Sequence, residues 1–203
     1  MKPPIPIYLA VEDDLSEWVA RRVLSVRPLE YAVGAVFGKT GFGYLKKQAP
    51  AFNNAAKGSP FLLLADLDQY PCPAQLIREW LGQPRHPHLI LRVAVREVES
   101  WLLGDPRGLS AFLGLKKRFV CQYPERLTDP KAELLKLVMT SPRKLMRESL
   151  VWKNESSGNL FQGPDYNATL AKFVLKDWNI QLARKTCSSL NRFCLALDRL
   201  EAE

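Results

Sequence analysis

The chain has 203 residues, 47% hydrophobic and 25% charged, with a formal net charge of +8 and a sequence pI of about 9.4. That length supports one good core and one or at most two domains. No apolar run approaches the roughly 20 residues that span a bilayer, and Met1-Lys2-Pro3-Pro4 leads too soon to Glu12, Asp13 and Asp14 for a signal peptide, so a cytoplasmic protein without a membrane segment is expected. The positive excess favours polyanionic partners, nucleic acid above all, against the plainer reading of a charge that serves solubility. Cys72, Cys121, Cys187 and Cys194 show no C-x-x-C spacing, and the two histidines, His86 and His88, sit together in a loop-like stretch. Free thiols in a reducing compartment are therefore expected rather than a zinc site.

In chain order, Ile5 to Val11 reads as a first strand ending on Glu12. Asp14 or Ser16 can cap the helix that follows, with Trp18, Val19, Val23, Leu24 and Val26 as its apolar stripe and Arg21, Arg22 and Arg27 as its wet side. Tyr31 to Phe37 is a second strand. The loop Gly38-Lys39-Thr40-Gly41 contains Gly-Lys-Thr, but a nucleoside-triphosphate loop needs a glycine where Val33 stands. A flexible basic loop touching phosphate through Lys39, Lys46 and Lys47 is the reading kept. Tyr44 to Ala56 reads as a helix, with Pro50 as a point of interruption.

Phe61 to Ala65 is wholly apolar, bounded by Ser59-Pro60 and Pro71-Cys72-Pro73, and reads as a strand buried on both faces. Ala74 to Leu81 has helical spacing, and Leu89 to Val95 is a further strand. This alternation predicts an α/β fold with a mainly parallel sheet flanked by helices over residues 1–106. Residues 107–203 read as a mostly helical C-terminal half, packed on the core or forming a small lobe. Within it, Asp129-Pro130-Lys131 opens one helix, Ser141 to Leu150 forms another, Lys153 to Tyr166 is a loop, and Tyr166 to Leu200 is mostly helical.

Acids mark the strand ends. Glu12 follows the first strand, Asp66 and Asp68 end the central one, and Glu97 and Glu99 follow a later one. Alternation along a strand would aim Asp66 and Asp68 the same way. Paired acids at the carboxyl edge of a parallel sheet sit where such sheets keep their sites, and oxygen donors of this type suit Mg²⁺ or Mn²⁺. The competing reading is a solvated strand-to-loop turn. Arg96 reads equally as a phosphate contact or as the salt-bridge partner of an acid.

Val11-Glu12-Asp13-Asp14-Leu15-Ser16-Glu17, Ala65-Asp66-Leu67-Asp68 with Cys72-Pro73, and Val93 to Leu103 through Arg96-Glu97-Val98-Glu99 together resemble the TOPRIM fold. Asp129-Pro130-Lys131, and Gly163-Pro164-Asp165-Tyr166-Asn167 leading to Ser188-Ser189-Leu190, extend the likeness over most of the chain. The likeness is closest to a bacterial family of stand-alone TOPRIM-like proteins of unknown function, related to nucleases of the OLD (overcoming lysogenization defect) type. It implies Glu12 as acid/base or metal ligand and Asp66 and Asp68 as holders of Mg²⁺, with Glu97 or Glu99 as an added ligand or water-orienting base. It also implies a nuclease or related phosphodiester-handling protein, an ATPase partner and a place in bacterial phage defence. Many TOPRIM domains carry glycine just after the glutamate, where this chain has Asp13. A non-catalytic module that binds nucleic acid or a partner protein is the alternative, and a hydrolase of another phosphoester is a third.

Overall fold

The structure, a computed structural model, describes residues 3–201. It is an α/β protein whose elements begin β1 (Ile5–Val11), α1 (Asp14–Ser25), β2 (Tyr31–Gly38), α2 (Phe42–Ala55), β3 (Phe61–Asp66), α3 (Pro73–Leu81) and β4 (Leu89–Ala94). The four strands pair in parallel in the order β2-β1-β3-β4. The three apolar runs expected to share one sheet do so. A mostly helical part follows: α4 (Val98–Leu103), α5 (Pro106–Leu113), α6 (Pro130–Met139), α7 (Lys144–Leu150), α8 (Tyr166–Lys176), α9 (Ile180–Thr186) and α10 (Ser188–Glu201). Among the described residues no helix is long and apolar enough to cross a membrane.

Residues 3–95 with 189–201 form one compact unit, and residues 96–188 a second. In the first, Leu63, Ala65, Leu91 and Val93 join Leu45, Ala49 and Phe52 of α2 and Leu76 and Trp80 of α3 in one apolar cluster. Side chains alternate along a strand, so Leu62 and Leu64 point to the other face, and α1 contacts β1 and β3. Both faces of β3 are therefore covered, which is why it can be apolar from Phe61 to Ala65 without a polar position.

This topology has one consequence for position. The chain goes from β1 outward to β2, then returns past β1 to β3 and outward again to β4. The strand order reverses between β1 and β3, and in open α/β sheets the crevice for a ligand lies at the carboxyl ends of the strands flanking that reversal. Glu12 and Asp66 stand at those two ends.

Several local expectations are corrected. The cap of α1 is Asp13, whose Oδ1 accepts from Ser16 N at 2.8 Å, not Asp14 or Ser16. The chain leaves extended geometry one residue earlier than the apolar pattern indicates. Val26 is 45% exposed rather than part of the buried stripe. Arg27, read as wet, is drawn in by Asp198 and Glu201 of α10, donating to Glu201 Oε1 at 2.8 Å. Pro50 lies inside α2 without ending it, because Leu45, Ala49, Phe52 and Asn53 keep that helix buried on both sides of the proline.

In the second unit, Trp101, Leu102, Leu109, Leu113, Leu134, Val138, Phe173 and Val174 are buried. The stretch read as a loop after Lys153 contains a strand, β6 (Leu160–Gln162), paired antiparallel with β5 (Val151–Lys153). Three-residue strands carry too little alternation to register as strands. Asp105 is fully buried and saturated: it caps α5 through Gly108 N at 2.9 Å and accepts from Asn179 N at 2.8 Å.

Candidate acidic site at the carboxyl edge of the sheet

The edge is built by the chain leaving β1. Gly38 ends β2 with φ +99°, a conformation that favours glycine, and a Cβ there would run into Val11 O. The next residue, Lys39, donates its N–H to Val11 O at 2.9 Å, and Gly41 N donates to Glu12 O at 3.1 Å. The Gly-Lys-Thr-Gly loop is thus hooked onto the end of β1. Glu12 is half-buried, and its Oε1 accepts from Asp66 N at 2.9 Å. One hydrogen bond therefore joins acids 54 residues apart across the carboxyl ends of two adjacent strands.

Asp66 is the last residue of β3 and half-buried. Asp68 does not continue the alternation. Leu67 N still donates to Ala94 O at 2.9 Å, but Tyr70 N then closes a turn onto Leu67 O at 2.9 Å, and Asp68 takes φ +47° within it. Aspartate is among the few non-glycine residues that enter this left-handed region readily. Strand alternation thus stops at Asp66 and does not set the direction of the Asp68 carboxylate. Asp13, where the TOPRIM pattern often has glycine, is occupied as the cap of α1.

The basic residues expected to touch phosphate are placed as follows. Lys39 has φ +63°, and its Nζ lies 2.9 Å from Asp14 Oδ1 and 2.5 Å from Glu17 Oε2. Burial pushes the Glu17 carboxyl up, but the pairs with Lys39 and Arg21 outweigh it and leave its pKa lowered. Lys46 donates to Tyr70 Oη at 3.2 Å and lies against its ring. Lys47 is exposed on α2, and Arg96 is half-buried just after β4.

Glu97 and Glu99 belong to the second unit, where they gather on one lysine. Glu97 is the residue before α4, and its Oε2 accepts from Lys131 N at 3.0 Å. Lys131 Nζ lies 3.8 Å from Glu97 Oε1 and 3.6 Å from Glu99 Oε1. Glu99 is 1% exposed and accepts from Tyr166 Oη at 2.9 Å, while its Oε2 is enclosed with no hydrogen-bond partner among the described residues. Burial raises the Glu99 carboxyl to about 7, with Lys131 and Tyr166 opposing and Glu97 adding to the rise. A carboxyl tuned to that range can accept or release a proton near neutral pH. Lys131 and Tyr166 are the members of this group that a residue-by-residue reading does not reveal. Their stretches are visible as helix starts, but their convergence on Glu99 is tertiary.

Among the described residues no group of three or more His, Cys, Asp or Glu side chains is gathered as a ready-made metal cage. Mg²⁺ is ordinarily held by one or two carboxylates together with waters and substrate phosphates, and the acids at the sheet edge offer oxygen donors alone. The donor type at Glu12, Asp66 and Asp68 therefore fits a hard divalent cation. Comparison of the chain with protein-family models, with curated proteins and with solved structures returned no match.

Two outcomes follow. Glu12→Gln keeps a side-chain oxygen for Asp66 N and should stay within about 0.5 kcal/mol of the parent, whereas Glu12→Ala leaves that N–H without its acceptor and should cost roughly 1–3 kcal/mol. Urea denaturation of the pair checks this, and equal losses would contradict it. For Glu99 the folded-state pKa of about 7 lies above the ordinary 4.5. Between those values the folded state holds a proton that the unfolded chain has released, so this group's contribution to stability falls as pH rises from 4.5 to 7. Glu99→Gln should flatten that part of the Tm-versus-pH curve, and an unchanged slope would assign the dependence elsewhere.

Proposed function

We propose that the protein handles phosphodiesters in a divalent-metal-dependent way, as a nuclease of the TOPRIM-like, OLD-related kind, with Glu12, Asp66 and Asp68 as the residues that hold Mg²⁺ or Mn²⁺. The observation that carries this reading is the hydrogen bond from Asp66 N to Glu12 Oε1 at the reversal point of a parallel sheet. It fixes one acid of the edge against the backbone of the next, so negative charge is held in register where α/β sheets bind ligands. When bound, the ion supplies Lewis-acid stabilisation of phosphate oxygens. The chain's own part is positional: Glu12 is held by its carbonyl and its carboxylate, and the turn at Asp68 sets the second aspartate off the strand. The net charge of +8 suits a nucleic-acid substrate. Membership of a phage-defence system with an ATPase partner belongs to the same proposal and rests on the resemblance alone.

A second reading, a non-catalytic TOPRIM-like module that binds nucleic acid or a partner protein, is favoured by one observation. Glu12 already serves as a structural acceptor, for the N–H of Asp66.

Asp66→Asn separates the two. It leaves the backbone N–H that Glu12 accepts from, and it removes one of several like charges. Under the first reading the Tm should hold or rise, because fewer carboxylates repel in the metal-free state, while Mn²⁺-dependent cleavage of labelled DNA or RNA falls by orders of magnitude. A lowered Tm with unchanged cleavage, or no cleavage by the parent protein, favours the second reading.

A further inference from the structure

The face of the sheet turned away from α2 and α3 carries a second concentration of charge, of opposite sign. Along β4, Leu89, Leu91 and Val93 join the α2/α3 cluster, so Ile90, Arg92 and Ala94 point to the other side. Among the described residues β4 pairs with β3 alone, at the edge of the sheet, with Leu64 opposite Arg92. α10 starts beside the end of β4, where Val95 N donates to Ser189 Oγ at 3.3 Å, and finishes beside the start of β2, where Tyr31 Oη donates to Glu201 at 2.9 Å. It therefore crosses the sheet diagonally and carries Arg192 and Arg199, seven residues apart and so on one side of the helix. Arg85 stands in the loop that enters β4.

Arg92 sits in an awkward position for a cation. It is half-buried, and its Nε is enclosed with no hydrogen-bond partner among the described residues. Burial lowers its pKa to about 10, and the charges of Arg85, Arg199 and Arg192 push in the same direction. The acids nearest in sequence on α10, Asp198 and Glu201, are engaged by Arg27. Among the described residues Arg85, Arg92 and Arg199 form no ion pair. A partly desolvated charge surrounded by like charges is unfavourable unless an anion compensates it.

We propose that Arg85, Arg92 and Arg199, with Arg192 beside them, form a phosphate-binding site on this face of the β4 edge. The planar guanidinium fork matches phosphate oxygens in a way a point-charge ammonium does not, and all four cations here are arginine. The phosphate belongs either to a nucleic-acid backbone or to a small phosphorylated molecule. The site stands on residues other than the acids of the carboxyl edge and does not require that the protein cleave anything.

The test uses the full chain and inorganic phosphate. Thermal unfolding is followed in sodium phosphate and in sodium chloride of equal ionic strength, for the parent, for Arg92→Met and for the double variant Arg85→Ala/Arg199→Ala. Phosphate strengthens burial in proteins generally, so the readout is the difference between parent and variants. The parent should gain about 3 °C more than either variant at phosphate well above its Kd. Arg92→Met should match or exceed the parent in chloride, because an uncompensated charge is gone. Equal phosphate responses in all three proteins overturn the proposal. If Arg92→Met does not fold, the double variant, whose two arginines are exposed, decides alone. A second arm measures binding of a labelled single-stranded oligonucleotide against salt. A log–log slope shallower by about one unit in Arg92→Met assigns the site to a nucleic-acid backbone. A phosphate-specific gain in Tm with no change in oligonucleotide binding assigns it to a small phosphorylated molecule.

Discussion

The hydrogen bond from Asp66 N–H to Glu12 Oε1 ties together the carboxyl ends of β1 and β3. It exists because β1 and β3 are parallel neighbours, so both end at the same edge of the sheet, and because the chain reverses its direction of travel between them. A charged acceptor facing a backbone donor is among the stronger hydrogen bonds. It holds Glu12 in place although other carboxylates follow closely in sequence. The rest of the first unit supports that contact. β3 is covered on both faces, Gly38 allows the loop after β2 to approach Val11, and Asp13 starts α1 at once, so little slack remains between strand end and helix.

What the sequence reveals follows from periodicity. The apolar runs Ile5–Val11, Phe61–Ala65 and Leu89–Val95 can be read because a strand covered on both sides tolerates no polar residue, and their terminal acids can be read with them. The helices with a regular apolar face are legible for the same reason. The turn at Asp68 is not, since a positive φ depends on the hydrogen bond from Tyr70 back to Leu67 rather than on composition. Nor is the choice of Asp13 as cap among three neighbouring residues that could all serve. The hairpin of β5 and β6 is too short for alternation to register. Long-range pairings are the least visible: Arg27 with Glu201, and Glu97 and Glu99 with Lys131, join residues whose separation in sequence carries no signal.

Charge is distributed unevenly over the fold. At the carboxyl edge of the first unit, acids are held by backbone donors and caps, and Lys39 is committed to Asp14 and Glu17. On the sheet face turned away from α2 and α3, the like charges of Arg85, Arg192 and Arg199 act on a partly buried Arg92. In the second unit, burial keeps Glu99 near neutrality in its proton affinity while Lys131 and Tyr166 steady it.

Whether the carboxyl edge holds a divalent ion is tested by a crystal of the protein soaked in Mn²⁺, with anomalous diffraction recorded at the manganese edge. A metal held by these acids gives a peak at the carboxyl edge of β1 and β3, at about 2.1–2.2 Å from a carboxylate oxygen of Asp66. A well-ordered edge with no peak there, in crystals that bind manganese elsewhere or not at all, would contradict it.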